Sequence, residues 1–202
     1  MGASQLGGRI GAAYHQRGYT LVELMIVVSI AGILATLAYQ QVGDYVASAY
    51  SAEAKNTVGT IGRNVVAAGE RLAARDPDAS QIPLCQSAAY VPKQFKRVRA
   101  KKYQPNSAPG EDYQTGDDLT GWRCLKFQVT EPQSYQYRYK RGQPPAAANL
   151  PTFPNQGGQR WTALARGDRD DDGIRSYFVL QGLAVEDRIT ITTTMATVSP
   201  HE

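Results

Sequence analysis

Residues 18–39 read GYTLVELMIVVSIAGILATLAY. From Leu24 to Tyr39 the run carries no charge, and Ser29 and Thr36 are its only aliphatic hydroxyls. Counted from Tyr19 to Tyr39 it reaches the ~20 residues a membrane-spanning helix needs, with Glu23 as the single charge inside it. Arg9, His15 and Arg17 lie just before it. A basic flank stays in the cytoplasm, so the chain after Tyr39 is expected on the outer face. A carboxylate at such a place costs ~2–3 kcal/mol even on the gentlest insertion scales, and carboxylates kept there usually serve a function. An alternative is a secretory signal peptide with Leu24–Leu37 as its apolar region and Thr36-Leu37-Ala38 as the cleavage site. Glu23 abutting the apolar run speaks against it, as does a helical pattern that continues past the cleavage point.

That pattern runs from Gln40 to about Arg75. Ala54, Val58, Ile61, Val65, Ala68 and Leu72 alternate spacings of four and three, while Glu53, Asn56, Thr60, Arg63 and Arg71 fall elsewhere. The reading is one long helix, apolar all round in its first half and amphipathic in its second. Asp76-Pro77 should end it, and Gly43, Gly59, Gly62 and Gly69 make it locally soft or let it pack closely.

Residues 77–121 are rich in Pro, Gly, Asn, Asp and Ser and read as a long connection. It concentrates Lys93, Lys96, Arg97, Arg99, Lys101 and Lys102 ahead of an acidic stretch with Glu111, Asp112, Asp117 and Asp118. Nucleic acid is one candidate partner for the basic segment, with Phe95 and Tyr103 available for stacking; a solvated loop or pairing with acidic residues of a neighbouring subunit is the other reading. After Trp122 the period changes to two. Leu125, Phe127 and Val129 alternate with polar residues, a turn at Pro132 follows, and Tyr135, Tyr137 and Tyr139 alternate in turn, which predicts a hairpin. Beyond the Pro- and Gly-rich stretch 142–158, strands are expected at Arg160–Arg166, Arg175–Gln181 and Arg188–Thr194. The fold class is therefore α+β, a long N-terminal helix packed on a C-terminal antiparallel sheet of four to five strands.

Asp168, Asp170 and Asp172, followed by Gly173, match the opening of a calcium loop, D-x-D-x-D-G, and the Ile174 carbonyl could add a further ligand. The twelfth place holds Val179, where an EF-hand has a bidentate Glu, and the flanks read as strands. Calcium is a candidate cofactor; an exposed Asp-Gly turn that needs no ion is the competing reading. Cys85 and Cys124 are the only cysteines and lack zinc-site spacing. On an oxidising outer face they are expected to form a disulfide tying the long loop to the first strand. No G-x-S-x-G elbow or phosphate-cradling glycine loop occurs, and His15 and His201 sit at opposite ends, so an enzyme is not expected.

Gly18-Tyr19-Thr20-Leu21-Val22-Glu23-Leu24-Met25 resembles the processing signature of type IV prepilins and of the pseudopilins of type II secretion. The resemblance implies cleavage between Gly18 and Tyr19 by a prepilin peptidase, N-methylation of Tyr19, and a need for Glu23 when subunits are added at an inner-membrane assembly platform. Tyr19 departs from the family's usual Phe. The implied organisation is a cleaved leader (1–18), a membrane-inserting and polymerising helix (19–46) and a head (47–202) with the helix to about 75, the loop 77–121 and the sheet 122–195. Removing Arg9 and Arg17 with the leader lowers the formal net charge from +4 to about +2, too little to imply nucleic acid by itself. The implied function is a subunit of a surface filament used in adhesion and twitching motility, partnered by identical or related pilins. Its precursor would sit in the inner membrane and its mature form in an extracellular pilus. A minor pilin, a pseudopilin, or a secreted calcium-binding domain behind a signal peptide are the alternatives.

Overall fold

The computed structural model describes residues 18–76, 80–143 and 158–200. The leader residues 1–17 and most of the Pro- and Gly-rich stretch, 144–157, lie outside the described residues. The chain falls into two units, one ending at Gly43 and one beginning at Asp44. The helix expected from the apolar run and the stripe is a single element, α1 (Leu21–Ala73). Its last turn continues through Ala74 and Arg75 in backbone bonds to Glu70 and Leu72, and it stops at Asp76, before the proline.

In the second unit the predicted stripe is the buried face: Ala54, Val58, Ile61, Val65, Ala68 and Leu72 are all at most 5% exposed. They share one core with Tyr137, Tyr139, Trp161, Ala163, Ala165, Phe178 and Leu180 of the sheet. Gly62 shows how closely helix and sheet approach. A Cβ there would stand 2.7 Å from Leu180 Cδ2 and 3.4 Å from the Trp161 ring, so the glycine serves packing rather than softness. Glu53, beside the stripe, accepts hydrogen bonds from Ser134 N (2.7 Å), Ser134 Oγ (2.9 Å) and Tyr137 Oη (3.4 Å), which pins the helix to the start of the sheet.

The sheet contains β1 (Gln136–Arg141), β2 (Gln159–Gly167), β3 (Ser176–Val185), β4 (Arg188–Ile191) and β5 (Ala196–Val198), all antiparallel. Its order is β1-β2-β3-β4, and β5 also pairs with β3. The strand expected at Arg188–Thr194 is the shorter β4, which faces Gly182–Val185, and a further strand that was not expected, β5, follows it and faces Tyr177–Val179 of β3. Tyr135, Tyr137 and Tyr139 line the core face as the alternation predicts, each at most 2% exposed. Burial pushes the hydroxyls of Tyr137, Tyr139 and Tyr113 above the ordinary phenol range.

One expected strand is absent. Residues around Leu125, Phe127 and Val129 do not pair in the sheet; the chain forms a short helix, α2 (Gly121–Leu125), capped by Lys126 in the left-handed region (φ +51°). The sheet therefore begins at Gln136 rather than near 122. Trp122 and Leu125, three apart, share the buried face of α2, and Trp122 and Phe127 sit with Tyr113 in an aromatic cluster with centroids 5.1–5.4 Å apart. Burial driven by these aromatics reproduces a period of two without a strand. The Cys85–Cys124 disulfide exists, with Cα atoms 5.9 Å apart, but it ties the segment after α1 to α2, not to a strand.

The long connection is docked rather than loose. Val91 and Tyr137 exchange backbone hydrogen bonds at 2.9 Å in both directions, and Ala88 N donates to Tyr139 O at 3.0 Å, so this segment covers the free edge of β1. Tyr103 and Gln133 are bridged in the same reciprocal way.

Candidate functional site

The first candidate site is the start of α1. Thr20 precedes the first helical residue and Glu23 is the third residue of the helix, so the four positions Thr20-Leu21-Val22-Glu23 form a capping box. Glu23 N donates to Thr20 Oγ1 (3.2 Å), while Thr20 N and Thr20 Oγ1 donate to Glu23 Oε2 (2.8 and 2.9 Å). Two otherwise orphaned backbone donors are satisfied this way, and the carboxylate lies where a helix dipole favours negative charge. The T-x-x-E spacing was readable in the sequence; Thr20 is the capping residue that the pattern of charges alone passes over. Gly18 and Tyr19 are exposed, and a Cβ built on Gly18 meets nothing within 4 Å. Among the described residues, nothing requires a glycine there.

From Leu21 to Leu37 every large apolar side chain is more than half exposed, Ile30 least at 53%. This is the one helix among the described residues long and apolar enough to cross a membrane, by length and composition. A helix apolar all round and bare in a single chain needs lipid or other helices as its solvent.

The comparisons with known proteins meet this same segment. Residues 14–39 match the family model described as the prokaryotic N-terminal methylation motif. The fimbrial protein EcpC of Eikenella corrodens is 52% identical over 44 residues, 22% of this chain and 29% of that protein. The type IV major fimbrial protein FimA of Dichelobacter nodosus is 55% identical over 38 residues, 19% of this chain and 24% of that protein. Over this segment the chain is similar to type IV fimbrial proteins. The match spans less than a third of either relative's length, and no solved structure matches the chain. The rest of the chain therefore has to be read from its own residues.

Two features of the head were singled out by sequence. The aspartates occupy the β2–β3 turn: one carboxylate oxygen each from Asp168, Asp170 and Asp172 lies within 4.8 Å of the others. Ile174 N donates to Asp172 Oδ1 at 2.7 Å, and Gly173 has φ +93°, the sharp turn its glycine allows. Asp171, also at positive φ (+66°), points its carboxylate to Arg99 instead. The basic segment 93–102 lies beside this turn. Arg99 Nε donates to Asp168 Oδ2 at 3.1 Å, and Ala100 N donates to Asp168 O at 3.1 Å. The pairing of Arg99 with Asp168 had no signal in the sequence, since 69 positions separate them.

Phe95 and Tyr103 are not bare platforms. Arg175 and Arg166 stack over the Phe95 ring at 4.6 and 5.0 Å, and Arg97 stacks over Tyr103 at 5.3 Å. Arginines of the protein thus hold the faces on which the sequence reading placed nucleobases.

Proposed function

We propose that this chain is a structural subunit of a type IV pilus, held in the inner membrane as a precursor through residues 19–39. Prepilin peptidase cuts it between Gly18 and Tyr19 and methylates the new α-amine, and an assembly platform adds it through α1 to a surface filament used for adhesion and twitching. The observation that carries the reading is the bare apolar helix with a lone carboxylate in its first turn, coincident with the methylation motif. Gly18 supports it from the other side: no described residue crowds it, so packing does not call for a glycine there, whereas a protease that grips the backbone does.

In the filament, Glu23 takes the α-ammonium of Tyr19 on a neighbouring subunit. Apolar helices slide past one another with little preference, and a buried charge left unpaired costs several kcal/mol, so the pair sets axial register. The capping box gives this carboxylate a fixed place before any partner arrives. The head acts as a non-enzymatic surface module.

The test is the mass of the mature N-terminal peptide from surface filaments. A methylated Tyr19 start is expected. A start at Tyr39 would remove the polymerising helix and select the secreted-domain reading, and finding the chain only at trace level in filaments would select the minor-pilin reading.

A further inference from the structure

We propose that the β2–β3 turn of the head is a calcium site and that the ion locks the basic segment 93–102 onto the sheet. Asp168 is the buried member of the cluster, 1% exposed. Its Oδ2 is engaged by Arg99, but its Oδ1 is shut off from water and has no hydrogen-bond partner among the described residues. A buried carboxylate oxygen without a donor is costly, and it calls for a ligand that the described residues do not supply. Asp170 and Asp172, both exposed, complete the arrangement from the open side.

The spacing fits one ion. Two oxygens each ~2.4 Å from a common calcium stand at most ~4.8 Å apart, and the three carboxylate oxygens all lie within 4.8 Å of one another. Magnesium, with shorter bonds of ~2.0–2.1 Å and a rigid octahedral demand, dehydrates reluctantly and suits a flexible carboxylate turn less well than calcium. The charge also fits: the stretch 168–172 carries four aspartates, and Arg99 is the cation ion-paired with them among the described residues. A hard divalent cation relieves the remaining repulsion, with the Ile174 carbonyl and water as further oxygen donors.

The coupling follows from Asp168. Its side chain and its carbonyl hold Arg99 and Ala100, so an ion that fixes Asp168 also fixes the strand-like contact by which segment 93–102 is attached. Calcium would then order a surface carrying Lys93, Lys96, Arg97, Lys101 and Lys102.

The test uses the full chain in detergent, stripped with chelator and titrated with calcium chloride alone. Saturable binding of one ion per chain is expected, with a Kd of roughly 10⁻⁴–10⁻³ M, as in extracellular modules, and a thermal midpoint raised by about 3 °C near saturation. Trypsin cleavage within 93–102 should slow at least ~3-fold with calcium. Asp170→Asn combined with Asp172→Asn alters two exposed side chains and should abolish all three effects while leaving the helical circular dichroism unchanged. Absence of saturable binding overturns the site, as does binding that survives in the double variant or an equal response to magnesium. If the double variant misfolds, wild-type trypsin protection decides: unchanged cleavage with calcium overturns the coupling.

Discussion

Glu23 can do two separable things, and the capping box makes the separation testable. Glutamine retains an acceptor for Thr20 N, because capping boxes tolerate Gln at this place, but it carries no charge; alanine removes both functions. Under the proposed assembly, Glu23→Gln and Glu23→Ala should both be cleaved after Gly18 and both should lower filament yield by ~10-fold or more, the consequence of losing a buried charge partner. Electron microscopy of sheared filaments, with the mass of the membrane-held chain, reads both steps. Normal filaments from the Gln variant would assign Glu23 to helix capping alone, and uncleaved precursor would place it in the peptidase's recognition site. The residues of the second site were legible in part. Asp168, Asp170 and Asp172 stand out in sequence because D-x-D-x-D-G is local geometry, whereas Arg99 comes to them only through folding.

At the scale of elements, β1 is decided by its tyrosines. Tyr135, Tyr137 and Tyr139 face α1 and the segment after it, with Tyr139 Oη donating to Cys85 O at 3.1 Å. Burial pushes their hydroxyls, together with that of Tyr113, above the ordinary phenol range, so they ionise less readily in the folded state. The linkage sign is that of a neutral acid protected by burial. Below about pH 10 both folded and unfolded phenols are protonated and the contribution to stability is complete; above it the unfolded chain releases protons that the folded chain keeps, so stability falls as pH rises. Urea midpoints of the full chain in detergent should therefore drop steeply between about pH 10 and 11.5, and Tyr137→Phe should flatten that slope. An unchanged slope in the Phe variant would mean that Tyr137 is not a contributor. The same burial explains why α2 escaped sequence reading. Phe127 is inside because Trp122 and Tyr113 pack on it, and Cys124 and Leu125 are buried with it in the same core, which alternation along the chain cannot distinguish from a strand face.

Across the whole molecule, the disulfide joins the two parts that periodicity describes least, the segment after α1 and the turn of α2. It closes a span of 39 residues, for which the chain-entropy relation gives about 4 kcal/mol. Cys85→Ala combined with Cys124→Ala should lower the stability of the full chain in detergent by about that amount, and the loss should fall on the 80–134 segment first, seen as faster hydrogen exchange at Ala88 and Val91. A loss of stability with unchanged exchange at those amides would place the effect elsewhere. By itself the sequence determined the elements whose character is set by their own residues: the apolar run that needs lipid or other helices, the stripe from Ala54 to Leu72, the alternation of β1, the proline that stops α1 and the acidic turn. Each of these is a repeat or a short spacing, and local geometry converts it directly into a buried or exposed face. Only the tertiary structure decided that residues 121–125 are helix, that a further strand, β5, pairs with β3 beyond β4, that Arg99 reaches Asp168, and that arginines cover Phe95 and Tyr103. Those outcomes depend on which distant side chains fill the same space, and that competition is settled by packing and desolvation over the whole core rather than along the chain.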